Sequence, residues 1–199
     1  MDGEKVGALI KSYLGMNHGV IGIKILEERI CGNKPSKAER FCNLVRRSLK
    51  GQTYVIGRKN LSCSTAEVTL GFDKPRYLDF EPRIKSKTRA VRIGPIENCD
   101  VVLFTLNPKQ AMVMSILLGG IEARFKGEMG ICGEAVAKVY NEKRANLSFL
   151  CNGARDYGGF RENEVVLGLP YPEFLKLPLA MKKFVNLGKS KAEPKKAGR

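Results

Sequence analysis

Six cysteines are the residues of this chain best suited to chemistry: Cys31, Cys42, Cys63, Cys99, Cys132 and Cys151. A thiolate binds soft metals and attacks electrophiles, so its surroundings decide what it does. Cys63 stands directly before Ser64-Thr-Ala-Glu67, an S-x-x-E helix start, and Cys132 directly before the helical pattern Gly133 to Tyr140. At a helix start, unsatisfied N–H groups and the positive end of the macrodipole favour the thiolate. Cys151 opens a turn-like Cys-Asn-Gly-Ala-Arg155 loop, in which Arg155 is a cation able to lower a thiol pKa or to offset an anionic centre. Cys42 falls on an apolar helical stripe, where a core residue and a ligand are equally consistent with the residue type. There is no C-x-x-C, and the intervals 42–63, 63–132 and 132–151 match no zinc ribbon or ferredoxin signature. On the residues alone, buried structural thiols and a dispersed metal site both stand.

Two further groupings suggest different chemistry. Asn107, Gln110, Met112 and Arg155 are candidates for lining a small-molecule pocket, because Leu106-Asn107-Pro108 turns from a strand into a helix at the carboxyl end of the strand, where α/β folds often bind ligands. Ordinary helix capping accounts for the same residues. Arg83, Lys85, Lys87 and Arg89 alternate with Ile84, Ser86 and Thr88, so an extended segment would line them up on one face able to follow phosphates. A charged edge strand that discourages aggregation has the same pattern. His18 is the one histidine and sits in a Met-Asn-His-Gly turn, a surface setting rather than that of a base for a nucleophilic cysteine. No nucleotide loop is present: no G-x-G-x-x-G follows a strand, and Gly188-Lys189-Ser190 lacks the earlier glycine of a P-loop, position 183 being lysine.

The elements that must position these residues follow from hydrophobic period and punctuation. A helix is expected over Glu4 to Leu14, ended by Gly15, then a mostly buried strand from Gly19 to Leu26. A second helix should open at Ser36 with Glu39 completing a capping box, carry Ala38, Phe41, Cys42, Val45 and Leu49 on one face, and close at Gly51. Gln52 to Ile56 reads as a short strand, and the helix after Cys63 ends at Gly71. Residues 72–88, with Pro75 and Pro82, read as a long connection. Val101 to Leu106 is a strong buried strand, followed by a helix capped by Asn107 with Pro108 at its first position, a glycine pair, and a strand from Ile121 to Phe125. Strands over Leu147–Leu150 and Val165–Leu169 and a helix within Pro172–Leu187 complete the chain.

The fold class is mixed: α/β, or α+β, in a single domain over residues 1–187. Two similar strand-helix-strand-helix halves, about 19–71 and 100–140, place Gly51 and Cys63 at the same separation as Gly120 and Cys132. The basic tail 188–199 is expected to be disordered. A 199-residue chain with 43% hydrophobic content can bury one substantial core. Its start lacks the basic and apolar regions of a signal peptide, and no apolar run approaches membrane-spanning length, so a cytoplasmic protein without a membrane partner is expected. In a reducing compartment the cysteines are packing residues, ligands or reactive thiols rather than disulfides. The net charge of +15 favours contact with polyanions, and although the tail carries five bases against one acid, the body is basic without it.

Arg40-Phe-Cys42, Cys63 before a short helix ending in Leu70-Gly71, Asn107-Pro-Lys-Gln-Ala-Met112, Cys132 and Cys151-Asn-Gly-Ala-Arg155 together resemble the archaeal conserved region family, domain of unknown function 169, over roughly Gly19 to Leu177. The resemblance implies which positions matter rather than what they do. It selects Cys42, Cys63, Cys132 and Cys151 and leaves Cys31 and Cys99 aside. Four thiols are the number that a [4Fe–4S] cluster or a structural zinc needs. The family's anaerobic hosts imply an oxygen-sensitive iron–sulfur cluster, with zinc as the alternative, and a redox or cluster-transfer partner. Nucleic acid is the alternative partner, and whether the protein is an enzyme stays open.

Overall fold

The structure is a computed structural model that describes residues 2–73, 83–124 and 130–190. Its frame is a six-stranded sheet in the order β2-β3-β1-β4-β6-β5, formed by β1 (Ile21–Leu26), β2 (Tyr54–Ile56), β3 (Ala90–Gly94), β4 (Val101–Leu106), β5 (Asn146–Ser148) and β6 (Val165–Pro170). Every pairing is antiparallel. Within the mixed class expected, the chain is therefore α+β in a single domain rather than a parallel, doubly wound sheet.

The order reads alike from both edges. β1 and β4 meet at the centre, β3 and β6 lie outside them, and β2 and β5 form the edges. Each half thus contributes three strands, 21–94 and 101–170, wider than the sequence repeat because β3 and β6 close the halves. β3 was not foreseen: the proline-containing connection obscured it, although the alternating burial of its neighbours Ile84 and Thr88 continues into it.

Two layers of helices cover the sheet. α1 (Gly3–Leu14), α4 (Pro108–Leu117), α7 (Tyr171–Phe174) and α8 (Leu177–Ser190) pack on one face, where Val6, Ile10, Met114, Phe174 and Leu177 meet Phe104 and Leu106. α2 (Phe41–Ser48), α3 (Ser64–Thr69), α5 (Lys138–Glu142), the π-helical segment Ile131–Ala137 that leads into α5, and α6 (Asn152–Asp156) pack on the other against Ile21, Ile23, Ile25, Val101 and Leu103. β4 is buried at all six positions because both layers lean on it. The internal likeness breaks at α2 and α4, which lie on opposite faces.

Several boundaries depart from expectation. α2 begins at Phe41 after Arg40, not at Ser36, because Glu39 is drawn into a bridge with Leu61 and an ion pair with Arg47. Tertiary pairing outcompetes the capping box there. Residues 121–124 form no strand, and Phe125 lies outside the described residues, as do Pro75 and Pro82. The strand expected to run to Leu150 stops at Ser148, since Leu150 takes φ +72°. The Cys151 loop is instead the short helix α6. α8 runs to Ser190, and the rest of the basic tail lies outside the described residues. Among the described residues no helix is long and apolar enough to cross a membrane.

Candidate metal centre

The four cysteines selected in the sequence come from four elements on the same face of the sheet. Cys42 is the second residue of α2, Cys63 the N-cap of α3, Cys132 the second residue of the π-helical segment and Cys151 the N-cap of α6. Cys42 belongs to that face's core, and Cys63, Cys132 and Cys151 pack against it. Cys99 is buried in the opposite core and Cys31 is exposed. Cys132 was expected just ahead of its helix; the π-helical winding takes in Ile131 and so draws Cys132 inside it.

Contacts through Gly130 and Gly153 link three of the four. The Cys42 thiol donates to the Gly153 carbonyl of α6 at 3.5 Å. A Cβ built on Gly130 would lie 3.5 Å from Cys132 Sγ and 3.7 Å from Cys151 Sγ, so these two sulfurs flank one small volume that a side chain would fill. A Cβ on Gly153 would lie 3.7 Å from Cys151 Sγ and 3.0 Å from Arg40 Nη1. Among the described residues no group of three or more His, Cys, Asp or Glu side chains stands ready-made for a metal ion.

The electrostatics run against the expectation of thiolates activated by helix starts. Burial pushes Cys42 up to about 11, and the neighbouring Cys151 and Cys63 push the same way, with Arg40 a smaller opposing influence. Burial pushes Cys132 up to about 12; the hydroxyl of Thr69 partly offsets this, while Cys63, Cys151 and Cys42 add to it. Desolvation outweighs the helix start, so at neutral pH these two are thiols.

Arg155 does not serve the thiols as expected. Its guanidinium is spent on the carbonyls of Phe149 at 2.7 Å, Arg161 at 2.7 Å and Glu162 at 3.3 Å. Arg40 takes that place, stacked 4.5 Å over the Tyr157 ring and against Gly153. Its adjacency to Cys42 in Arg40-Phe-Cys42, and the flanking Gly130-x-Cys132 and Cys151-x-Gly153, were the legible signals for these missed positions.

The pocket candidates separate. Asn107 and Gln110 form a reciprocal capping box at 2.9 Å each way, and Gln110 Nε2 also donates to the Leu14 carbonyl at 3.0 Å. Met112 is exposed on α4, and Arg155 belongs to α6 on the other face. The basic stripe is extended as foreseen: Lys85, Lys87 and Arg89 are exposed, Arg83 is half-buried, and Ile84 and Thr88 are buried between them. It is not a strand but a strap, held by Asn141, whose Nδ2 donates to the Arg83 carbonyl, and by the Ile84 N–H bonded to the Thr69 carbonyl at 2.8 Å. His18 is half-buried and its pKa is lowered, first by burial and then by Arg46.

An antiparallel α+β domain with a pseudo-symmetric sheet and a four-cysteine face is the class of protein this is. Residues 75–178 match the family described as uncharacterised ArCR, domain of unknown function 169, and the chain belongs to that family. The match includes Cys132 and Cys151 and stops short of Cys42 and Cys63. The uncharacterized protein MJ0308 of Methanocaldococcus jannaschii is 34% identical over 110 residues, 51% of this chain and 47% of that protein, so the chain spans about half the length of this relative. No solved structure matches the chain.

Proposed function

We propose that Cys42, Cys63, Cys132 and Cys151 hold one metal centre, an iron–sulfur cluster, in a cytoplasmic protein that passes electrons or the cluster to a partner. The supporting observation is the gathering of these four thiols, from both halves of the sheet, onto one face, while Cys31 and Cys99 lie elsewhere. Four cysteines are a complete ligand set for such a cluster, which supplies a one-electron redox centre when bound. Ligation needs thiolates, so Cys42 and Cys132 would have to give up their protons to hold a metal, and Arg40, which favours the Cys42 thiolate, would offset part of the negative charge. Gly130 leaves the space between two of the sulfurs open. Zinc on the same four thiols is the alternative cargo.

Anaerobic purification with iron, zinc and acid-labile sulfide analysis tests this. The expected result is about four iron and about four sulfide per chain. Each Cys→Ser change at the four positions should remove the metal, and Cys31→Ser and Cys99→Ser should leave it. Gly130→Ala keeps an ordinary backbone, φ −97°, so it should fold normally yet lose metal because its methyl enters the space between Cys132 and Cys151. Metal-free wild-type protein, or full metal content in any of the four serine variants, would overturn the proposal.

The exposed strap Lys85, Lys87 and Arg89 supports a second reading, nonspecific binding to nucleic acid. Affinity for a single-stranded oligonucleotide that falls steeply with salt, and falls again in a Lys85→Ala/Lys87→Ala variant, is the expected sign; no binding at low salt removes that reading.

A further inference from the structure

At the β2 edge of the sheet lies a cavity of about 420 Å³ that none of the four cysteines lines. Arg29 and Lys34 reach it from the connection after β1, Arg58 and Lys59 from the turn after β2, and Arg89 from the residue before β3. Five cations from three stretches of chain thus line one concavity, and among the described residues no Asp or Glu lines it. Arg58 is compensated by Glu67 at 3.2 Å and Asp73 at 2.6 Å. Arg29, Lys34, Lys59 and Arg89 make no ion pair with a carboxylate among the described residues. Like charges with no paired carboxylate among the described residues, set around a concave, partly apolar wall, focus a positive potential that an anion would relieve.

One more feature gives the cavity the character of a binding site: Phe72, packed against the core but only part-buried, supplies an aromatic wall.

We propose that this cleft binds a small organic phosphate carrying a planar ring, of the nucleoside mono- or diphosphate class. The cations supply charge-assisted hydrogen bonds to phosphate, and the arginines among them can do so bidentately. Phe72 offers a face for the ring. The volume lies within the range of small-molecule sites, and the cations surround a hollow instead of continuing as a track, which favours a mononucleotide over a polynucleotide.

Titration calorimetry on the full chain with AMP, ADP, ribose 5-phosphate and adenosine tests the assignment. AMP and ADP should bind saturably one to one, and adenosine should not bind. Arg89→Ala and Lys59→Ala should each weaken AMP about tenfold, the size expected for a lost charged hydrogen bond. Both variants should melt at or above the wild-type temperature, since each relieves repulsion, which separates lost binding from lost folding. Phe72→Leu should reduce the preference for AMP over ribose 5-phosphate while leaving ribose 5-phosphate binding unchanged. Absence of AMP and ADP binding at millimolar concentration, AMP binding indifferent to both Arg89→Ala and Lys59→Ala, or binding of a 12-nucleotide RNA without binding of AMP would each overturn it.

Discussion

Gly168→Ala probes the contact that sets the π-helical segment against the sheet. A Cβ at Gly168 would lie 1.9 Å from the Ala135 carbonyl oxygen, 2.8 Å from its carbonyl carbon and 3.0 Å from its Cα. All three atoms are backbone, so no side chain can rotate aside. The segment would have to retreat from β6 by roughly 1.5 Å to restore van der Waals contact. That retreat would pull Ile131, Ala135, Val136 and Val139, all buried, away from their partners. Overpacking of a core costs about 1–3 kcal/mol, and a clash between fixed backbone atoms places this substitution at the upper end, about 3 kcal/mol. At about 2–4 °C per kcal/mol for a chain of this size, the melting temperature should fall by about 6–12 °C. Urea unfolding should show a lower midpoint with an unchanged slope. Because Cys132 rides on the same segment, metal content should fall as well. A midpoint within error of wild type would refute the close packing of this segment on β6, and with it the means by which Cys132 is placed.

Asn107→Ala removes the side-chain cap of α4, the bond that Asn107 Oδ1 accepts from the Gln110 N–H, and keeps the backbone N–H that donates to Gln110 Oε1; it should cost about 1 kcal/mol in urea unfolding without changing metal content, and a loss of metal would contradict the assignment of Asn107 to capping alone. Stability should also decline in alkali. Cys99 is pushed up to about 12, chiefly by burial and then by Asp100, so between its ordinary value of 9.0 and that pH the unfolded chain gives up the proton first. The folded state then holds more protons, and stability that is complete below the ordinary value drains away as pH rises. Comparison of wild type with Cys99→Ala by urea unfolding at neutral pH and near pH 10.5 isolates this group. The difference should shift by roughly 1–2 kcal/mol in favour of the variant, and parallel losses in the two proteins would contradict it.

Much of the chain could be read locally. α1 with its left-handed Gly15, β1, β4, β6 and the Asn107-Pro108 start of α4 emerge where period and punctuation agree, because the forces involved act within a few residues. The equal spacing of Gly51–Cys63 and Gly120–Cys132 does not carry over to the sheet: β2 lies between the first pair, and residues 121–124 between the second form no strand. The Glu39 capping box failed because a partner on a distant stretch, Leu61, and the side chain of Arg47 hold that residue elsewhere. β3 was hidden because a strand of five residues draws its stability from pairing with β1 and β2, not from its own sequence.

The same division runs through the candidate site. Cysteine chemistry, and the selection of four thiols from six, belong to the sequence and its family resemblance. Only tertiary structure decides that the four share a face, that Cys99 sits across the sheet from them, and that Arg40 rather than Arg155 is the cation acting on Cys42. The physical reason is that a side chain's reach and the dielectric around it are set by elements packed from far along the chain. A helix start promised activated thiols at Cys63 and Cys132; burial of Cys132 in the packed face instead made desolvation the larger effect there and keeps its proton in place at neutral pH.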